Sequence, residues 1–169
     1  MTASTIAETE ARFRADPSAA KSSPAVTATL ANGRARLSAG PFNWDADLPA
    51  ALGGENLAPS PTAYLLGALA GCAVAFLNDT LAPQFDVQID DLSAVARTST
   101  DARGLLGIEA VAPDLGDLTL EIRVASASPK DRVDAMLAAW QERCPIYLAL
   151  LKPNAIALSV ADAAATSAA

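Results

Sequence analysis

The chain has 169 residues, two cysteines and no histidine, and that inventory limits the chemistry available to it. Without histidine there is no Ser-His-Asp triad, no Cys-His dyad and no histidine-ligated zinc. Two cysteines alone make a poor metal site. In a reducing compartment such a pair is either inert core or a redox couple. Cys72 has Ala68, Leu69, Ala75 and Phe76 as its neighbours at helical spacings of three and four. All four are apolar, so a pocket at this sulfur would be greasy and would favour a lipophilic substrate. The same surroundings disfavour a thiolate unless a cation stands nearby. Arg34, Arg36 and Arg143 are the candidates, and the sequence leaves open which one approaches. Cys144 ends an apolar stripe and is followed by Pro145, which places its sulfur at a helix break. Closing the first helix would set it against a negative dipole end, and capping the next would set it against a positive one. Both cysteines lie on apolar helix faces, which equally fits their use as small core hydrophobes.

The elements that must position these sulfurs are readable in outline. Residues 1–24 form a polar lead-in. Asn32-Gly33 stands between two short alternating runs and predicts a tight hairpin. Residues 39–59 are rich in glycine and proline and predict an irregular connection. Glu55 in its Gly-Gly-Glu-Asn loop is a candidate for orienting a cation or substrate. Ser60-Pro61 predicts a helix start, with the helix running to about Leu81 and Pro83 stopping it. The middle of that helix is apolar on every side, as in a central, covered helix. Gly67 and Gly71, four apart, predict a close approach by another part of the core. Phe85, Val87 and Ile89 predict a strand continuing toward Arg97, Leu118–Val124 predicts the clearest strand, and a third is expected around Leu105–Val111. Ser128-Pro129 predicts a second helix capped by the serine, whose stripe is Val133, Met136, Leu137, Trp140 and Cys144. Residues 146–151 predict a short further helix, residues 155–160 a closing strand, and residues 163–169 a loose tail. Runs of strands interrupted by two helices indicate an α+β fold in a single domain over residues 25–162.

Composition narrows the partners. The formal net charge is −7, and the twelve basic residues are scattered, so no basic stripe for nucleic acid is present. An anionic membrane surface is disfavoured for the same reason. Residues 1–20 hold no apolar core segment of a secretory signal, and the apolar run Ala63–Leu77 is short for a bilayer span. A cytoplasmic location is the expectation. No phosphate-binding loop or metal-ligand cluster is seen, and no bound cofactor is expected.

The stretch Gly54-Glu55-Asn56-Leu57-Ala58-Pro59-Ser60-Pro61, running into Tyr64–Cys72, resembles the OsmC/Ohr family. That family carries a Gly-Gly-acid-x-x-x-Pro-Ser-Pro segment before a central helix with a cysteine in an Ala/Gly-rich stretch. Cys144-Pro145-Ile146 resembles the family's Cys-Pro-Val/Ile segment at a helix break. The resemblance implies an intertwined homodimer in which curved, antiparallel-rich sheets surround central helices and each site forms at the subunit interface. It implies reduction of organic hydroperoxides, with Cys72 attacking the peroxide and Cys144 resolving the sulfenic acid as a disulfide. An external dithiol, lipoyl in relatives, would restore both thiols. An alternative is a member without peroxidase activity, acting as a thiol sensor or binding an apolar ligand. The chain departs from the peroxidase pattern at one place. Those members carry a glutamate just after the helix-opening proline, paired with an arginine; here the positions are Thr62 and Ala63. Arg34 or Arg36 is the nearest match to that arginine, and Glu55 lies upstream of the glutamate's usual place.

Overall fold

The computed structural model describes residues 3–152 and 155–160. The first sheet is an antiparallel meander of β1 (Thr27–Ala31), β2 (Arg34–Ala39) and β3 (Phe42–Ala46). Asn32 and Gly33 both have positive φ, 52° and 78°, as the tight β1–β2 turn requires. The sequence-expected hairpin is therefore present, with Ala31 opposite Arg34. The connection expected over residues 39–59 is more ordered than its composition suggests. Gly40 takes φ 54° and turns the chain straight back into β3, and a short 3-10 turn follows at Ala50–Leu52. The lead-in likewise contains a helix, α1 (Ala3–Ala15), which rests against the short helix α3 described below.

The central helix starts where Ser60 and Pro61 place it. Ser60 Oγ accepts the Ala63 amide at 3.2 Å and Pro61 fills the first turn of α2 (Pro61–Phe76). Pro83 does not stop the helix. Lacking an N–H, it cannot close a normal turn with Asp79, and the chain widens instead into a π turn over Leu77–Leu81. Ala82 N–H bonds Leu77 O across that wide turn, and the helix resumes as α3 (Ala82–Phe85). It ends at Asp86, which adopts the left-handed conformation at φ 51°. The continuous helix Pro61–Phe85 has 25 residues and is long and apolar enough, by length and composition, to cross a bilayer. One face of it is packed as core: Leu69, Ala73, Leu77 and Leu81 are buried.

The chain after Asp86 corrects three strand expectations. Phe85 closes α3 and residues 86–89 are turn and irregular chain rather than strand, and β4 begins later, at Asp91–Ser99. Val87 is buried in the core, so its apolar character serves packing there. No strand forms around Leu105–Val111; that stretch holds α4 (Ala102–Leu105) and turns, because Arg103 is gripped by Asp101 and Glu109 at 2.6 and 3.0 Å and folds the segment on itself. The expected strand at Leu118–Val124 is β5 (Gly116–Ala125), antiparallel to β4. Leu92↔Val124, Ala94↔Ile122 and Ala96↔Leu120 face one another, and this apolar side packs on the core.

α5 (Lys130–Arg143) follows, with Pro129 at its cap position. Ser128, expected to cap it, instead accepts the Gln88 amide at 2.8 Å. Met136, Trp140 and Cys144 are buried along one stripe, and α6 (Pro145–Leu151) follows directly. Residues 155–160 make no strand. Ile156, Leu158 and Val160 are 83–89% exposed, because the alternation has no neighbouring strand among the described residues. Gly67 and Gly71 also depart from expectation: a Cβ at either would meet nothing within 4 Å, so among the described residues nothing packs against them. Between that open face and the first sheet lies a cleft of about 630 Å³ lined by Val26, Leu37, Phe42, Trp44 and Tyr64.

Leu77 is fully buried where α2, α5 and the π turn meet. Leu77→Ala should lower unfolding free energy by about 2–5 kcal/mol in urea titration, from lost burial plus the cavity left behind. A loss under about 1 kcal/mol would contradict this packing.

Candidate active site

Both sulfurs are delivered by helix geometry. Cys72 sits on α2 at the border between its buried face and its open face, and is half-buried. Cys144 is fully buried and closes α5, its amide bonding Trp140 O at 2.9 Å. It also opens α6, its carbonyl accepting the Leu148 amide at 3.0 Å. The two roles left open by the sequence are thus held together. Pro145 makes this joint: with no N–H it cannot continue α5, but it fits the first turn of α6.

The break brings Cys144 Sγ to 3.1 Å from Cys72 Sγ. A disulfide needs about 2.05 Å, so closure by about 1 Å would make the bond. Burial pushes the Cys72 thiol up to about 11, and the hydrogen bond and charge of Cys144 act in the same direction. The Ile146 amide, at the start of α6, opposes them by donating to the sulfur. A thiol at that value is ionised in only about one molecule in ten thousand at neutral pH, so it is a poor nucleophile without a cation.

None of the three candidate arginines is among the groups acting on Cys72. Arg34 pairs with Glu55 at 3.3 Å, and the pair stands by the entrance to α2, where Arg34, Asp47, Gly54 and Pro61 line a small cleft. Pro61 and Cys72 are eleven residues apart, about 16 Å along the axis. Arg36 pairs with Asp45 on the neighbouring strand. Arg143, though next to Cys144 in sequence, faces outward into a cavity lined by Ile6, Glu10 and Gln84. The structure therefore joins Cys72 with Cys144 and Arg34 with Glu55, as two separate groups. Among the described residues there is no cluster fit to hold a metal.

The model of the OsmC-like protein family matches residues 53–159, from the Gly-Gly loop through Cys72 and Cys144. The chain belongs to the OsmC-like family. The fold is shared by solved members at low sequence identity. An OsmC-like protein from Mycoplasma pneumoniae superposes with a TM-score of 0.64 at 21% identity, covering 78% of this chain and 89% of that one. An organic hydroperoxide resistance protein OsmC from Legionella pneumophila gives 0.54 at 18% identity, covering 76% and 89%. An organic hydroperoxide resistance protein from Elizabethkingia anophelis gives 0.55 at 16% identity, covering 76% and 88%. No curated protein matches the chain significantly. These likenesses establish the OsmC-like fold.

Sequence reading passed over Asp47, the buried carboxylate that accepts the amides of Leu48, Glu55 and Leu57. These bonds, led by that from Leu57, hold its pKa below the usual carboxylate value, against the desolvation that raises it. The available signal was an aspartate between apolar residues ahead of a glycine-rich loop, whose backbone N–H groups need an acceptor.

The 3.1 Å sulfur contact makes a direct prediction. Reduced protein treated with an equimolar thiol oxidant should lose both free thiols and two hydrogens of mass without forming a covalent dimer. With diamide as the oxidant, which needs a second thiol to complete a disulfide, Cys72→Ser and Cys144→Ser should each keep the remaining thiol. Two persistent thiols in the folded parent would rule out the pair as a redox couple.

Proposed function

We propose that the protein is a thiol-dependent peroxidase acting on organic hydroperoxides. The observation that carries this reading is the 3.1 Å approach of two sulfurs in an apolar setting. In the first step the Cys72 thiolate attacks the terminal peroxide oxygen. An S–O bond forms, the O–O bond breaks, and the alkoxide leaves as alcohol with the proton given up by the thiol. The product is a sulfenic acid. Cys144 then attacks the sulfenic sulfur, an S–S bond forms, and water leaves. A dithiol of the lipoyl class restores both thiols by two exchanges.

The first step needs a thiolate, which a single chain disfavours at Cys72. We assign that task to a second copy. The open Gly67–Gly71 face, the apolar cleft beside it and the exposed Ile156, Leu158 and Val160 support a homodimer, since apolar surface of this extent calls for cover. In this arrangement the Arg34–Glu55 pair of one copy serves Cys72 of the other, with Glu55 replacing the carboxylate that Thr62 and Ala63 lack. A cytoplasmic setting suits a reducible pair.

A second reading keeps the fold and drops the turnover: an apolar-ligand binder or a thiol sensor. It is favoured by the raised Cys72 thiol together with Thr62 and Ala63.

Steady-state assay with cumene hydroperoxide and dihydrolipoamide separates the two. The first reading expects turnover in the parent, its loss in Cys72→Ser, and a sulfenic acid trapped by dimedone in Cys144→Ser. Alkylation of Cys72 against pH should have a midpoint well below 11 in the parent, moving toward 11 in Arg34→Met. A single oxidation without turnover would favour the sensor, and equal activity in all variants would sink the peroxidase.

A further inference from the structure

We infer that Asp47 is the positioning residue of the Arg34–Glu55 pair. This rests on the reading that the pair serves the Cys72 thiolate. Asp47 is 7% exposed and is the buried charged residue among those described. A buried carboxylate is unfavourable unless its oxygens are well bonded. Here one oxygen accepts the Leu48 amide at 2.8 Å, and the other accepts Glu55 at 3.2 Å and Leu57 at 3.0 Å. Between those two residues, Asn56 donates its amide to Leu48 O at 3.1 Å, with a left-handed φ of 57°. Three consecutive amides, Glu55 to Leu57, are therefore tied to the Asp47–Leu48 corner.

The loop is shaped for this contact. At Gly54 a Cβ would lie 2.0 Å from Leu48 O and 2.7 Å from Asp47 Oδ1, so only glycine passes. Gly53, at φ 88°, makes the preceding turn. Asp47 also donates its own amide to Pro59 O, which joins the corner to the entrance of α2.

The consequence falls on Glu55. Its carboxylate is 70% exposed, and an exposed ion pair is ordinarily weak because two long side chains must be ordered. Fixing the Glu55 backbone removes part of that disorder. The Arg34 side chain is only 22% exposed, and its Nε is buried without a partner. Arg34 also acts electrostatically on Asp47. The guanidinium is thus paired with the exposed carboxylate, whose backbone the buried one holds, and it also acts on the buried one by charge. A carboxylate upstream of α2 can then stand in for one inside its first turn.

The test uses the full chain with Cys144→Ser, leaving Cys72 as the single thiol, and follows iodoacetamide alkylation from pH 6 to pH 11. Glu55→Gln and Asp47→Asn are each expected to slow alkylation at neutral pH about three- to tenfold and to raise the midpoint. Because Asp47 acts through Glu55, the double variant should be no slower than the slower single, and Glu55→Asp should recover part of the rate. A profile unmoved by Asp47→Asn, with only the melting temperature lowered, would overturn the inference; so would effects that multiply. Should Asp47→Asn fail to fold, amide exchange in the parent decides. Protected Glu55 and Leu57 amides, with the Glu55→Gln shift, support the clamp, and open-loop exchange overturns it. No peroxide is used, so a parent that shows the alkylation pattern without hydroperoxide turnover would remove the peroxidase reading and leave this one standing.

Discussion

Everything at the candidate site depends on the seating of the α5–α6 break against the middle of α2. Ala73, Leu77 and Leu81 on the central helix and Met136, Trp140 and Cys144 on α5 share one buried cluster. Burying Leu77, Leu81 and Met136 contributes about 1.5–3 kcal/mol each. That apolar contact fixes the two helices relative to one another, and the sulfurs meet as a result. The S···S approach is an output of core packing, and it does not require a strong interaction of its own. The same burial that aligns the thiols also suppresses ionisation at Cys72. Proximity and ionisation are therefore in tension within one chain: the second sulfur is supplied locally, and any charge that would ionise Cys72 has to come from elsewhere.

The chain distributes these two requirements over two regions with different construction. The cysteine pair lies in helices, where side-chain direction follows from the turn of the backbone. The Arg34–Glu55 pair lies on a strand end and a loop, where direction has to be imposed by backbone hydrogen bonds. Tyr64 strengthens the link between them: its hydroxyl donates to Asp45 O at 2.5 Å, tying the first turns of α2 to β3. The first sheet, the loop and the helix entrance thus behave as one connected unit.

Features governed by neighbouring residues were legible in the sequence. Asn32-Gly33 needs two positive φ values and has them. Ser60-Pro61 starts a helix because the cap and the missing N–H are local effects. The α5 stripe and the alternation of Leu118–Val124 report a single buried face each. What escaped was decided at a distance. Pro83 should end a helix by local rules, but the burial of Leu81 and Ala82 carries the helix past it through a wider turn. Residues 155–160 alternate like a strand, yet a strand also needs a neighbour, and none of the described residues offers one. Asp47 looked like any surface acid because its partners lie eight and ten residues away. The family resemblance pointed to both cysteines and to Arg34 or Arg36, and the glycine-rich loop singled out Glu55, but the pairing of Arg34 with Glu55 emerged only from the fold.

The π turn at Leu77–Leu81 has a bearing on how this chain can change over evolutionary time. Such a turn holds one residue more than a regular helical turn, which resets the rotation of everything after it by about 100°. Leu77 lies on its near side and Ala82 on its far side, and both are core residues. Loss of a single residue within the turn would give a more regular helix while turning the far side away from the core. Lineages descending from this sequence should therefore vary freely in length across the β4–β5 connection and conserve the residue count between Cys72 and Asp86.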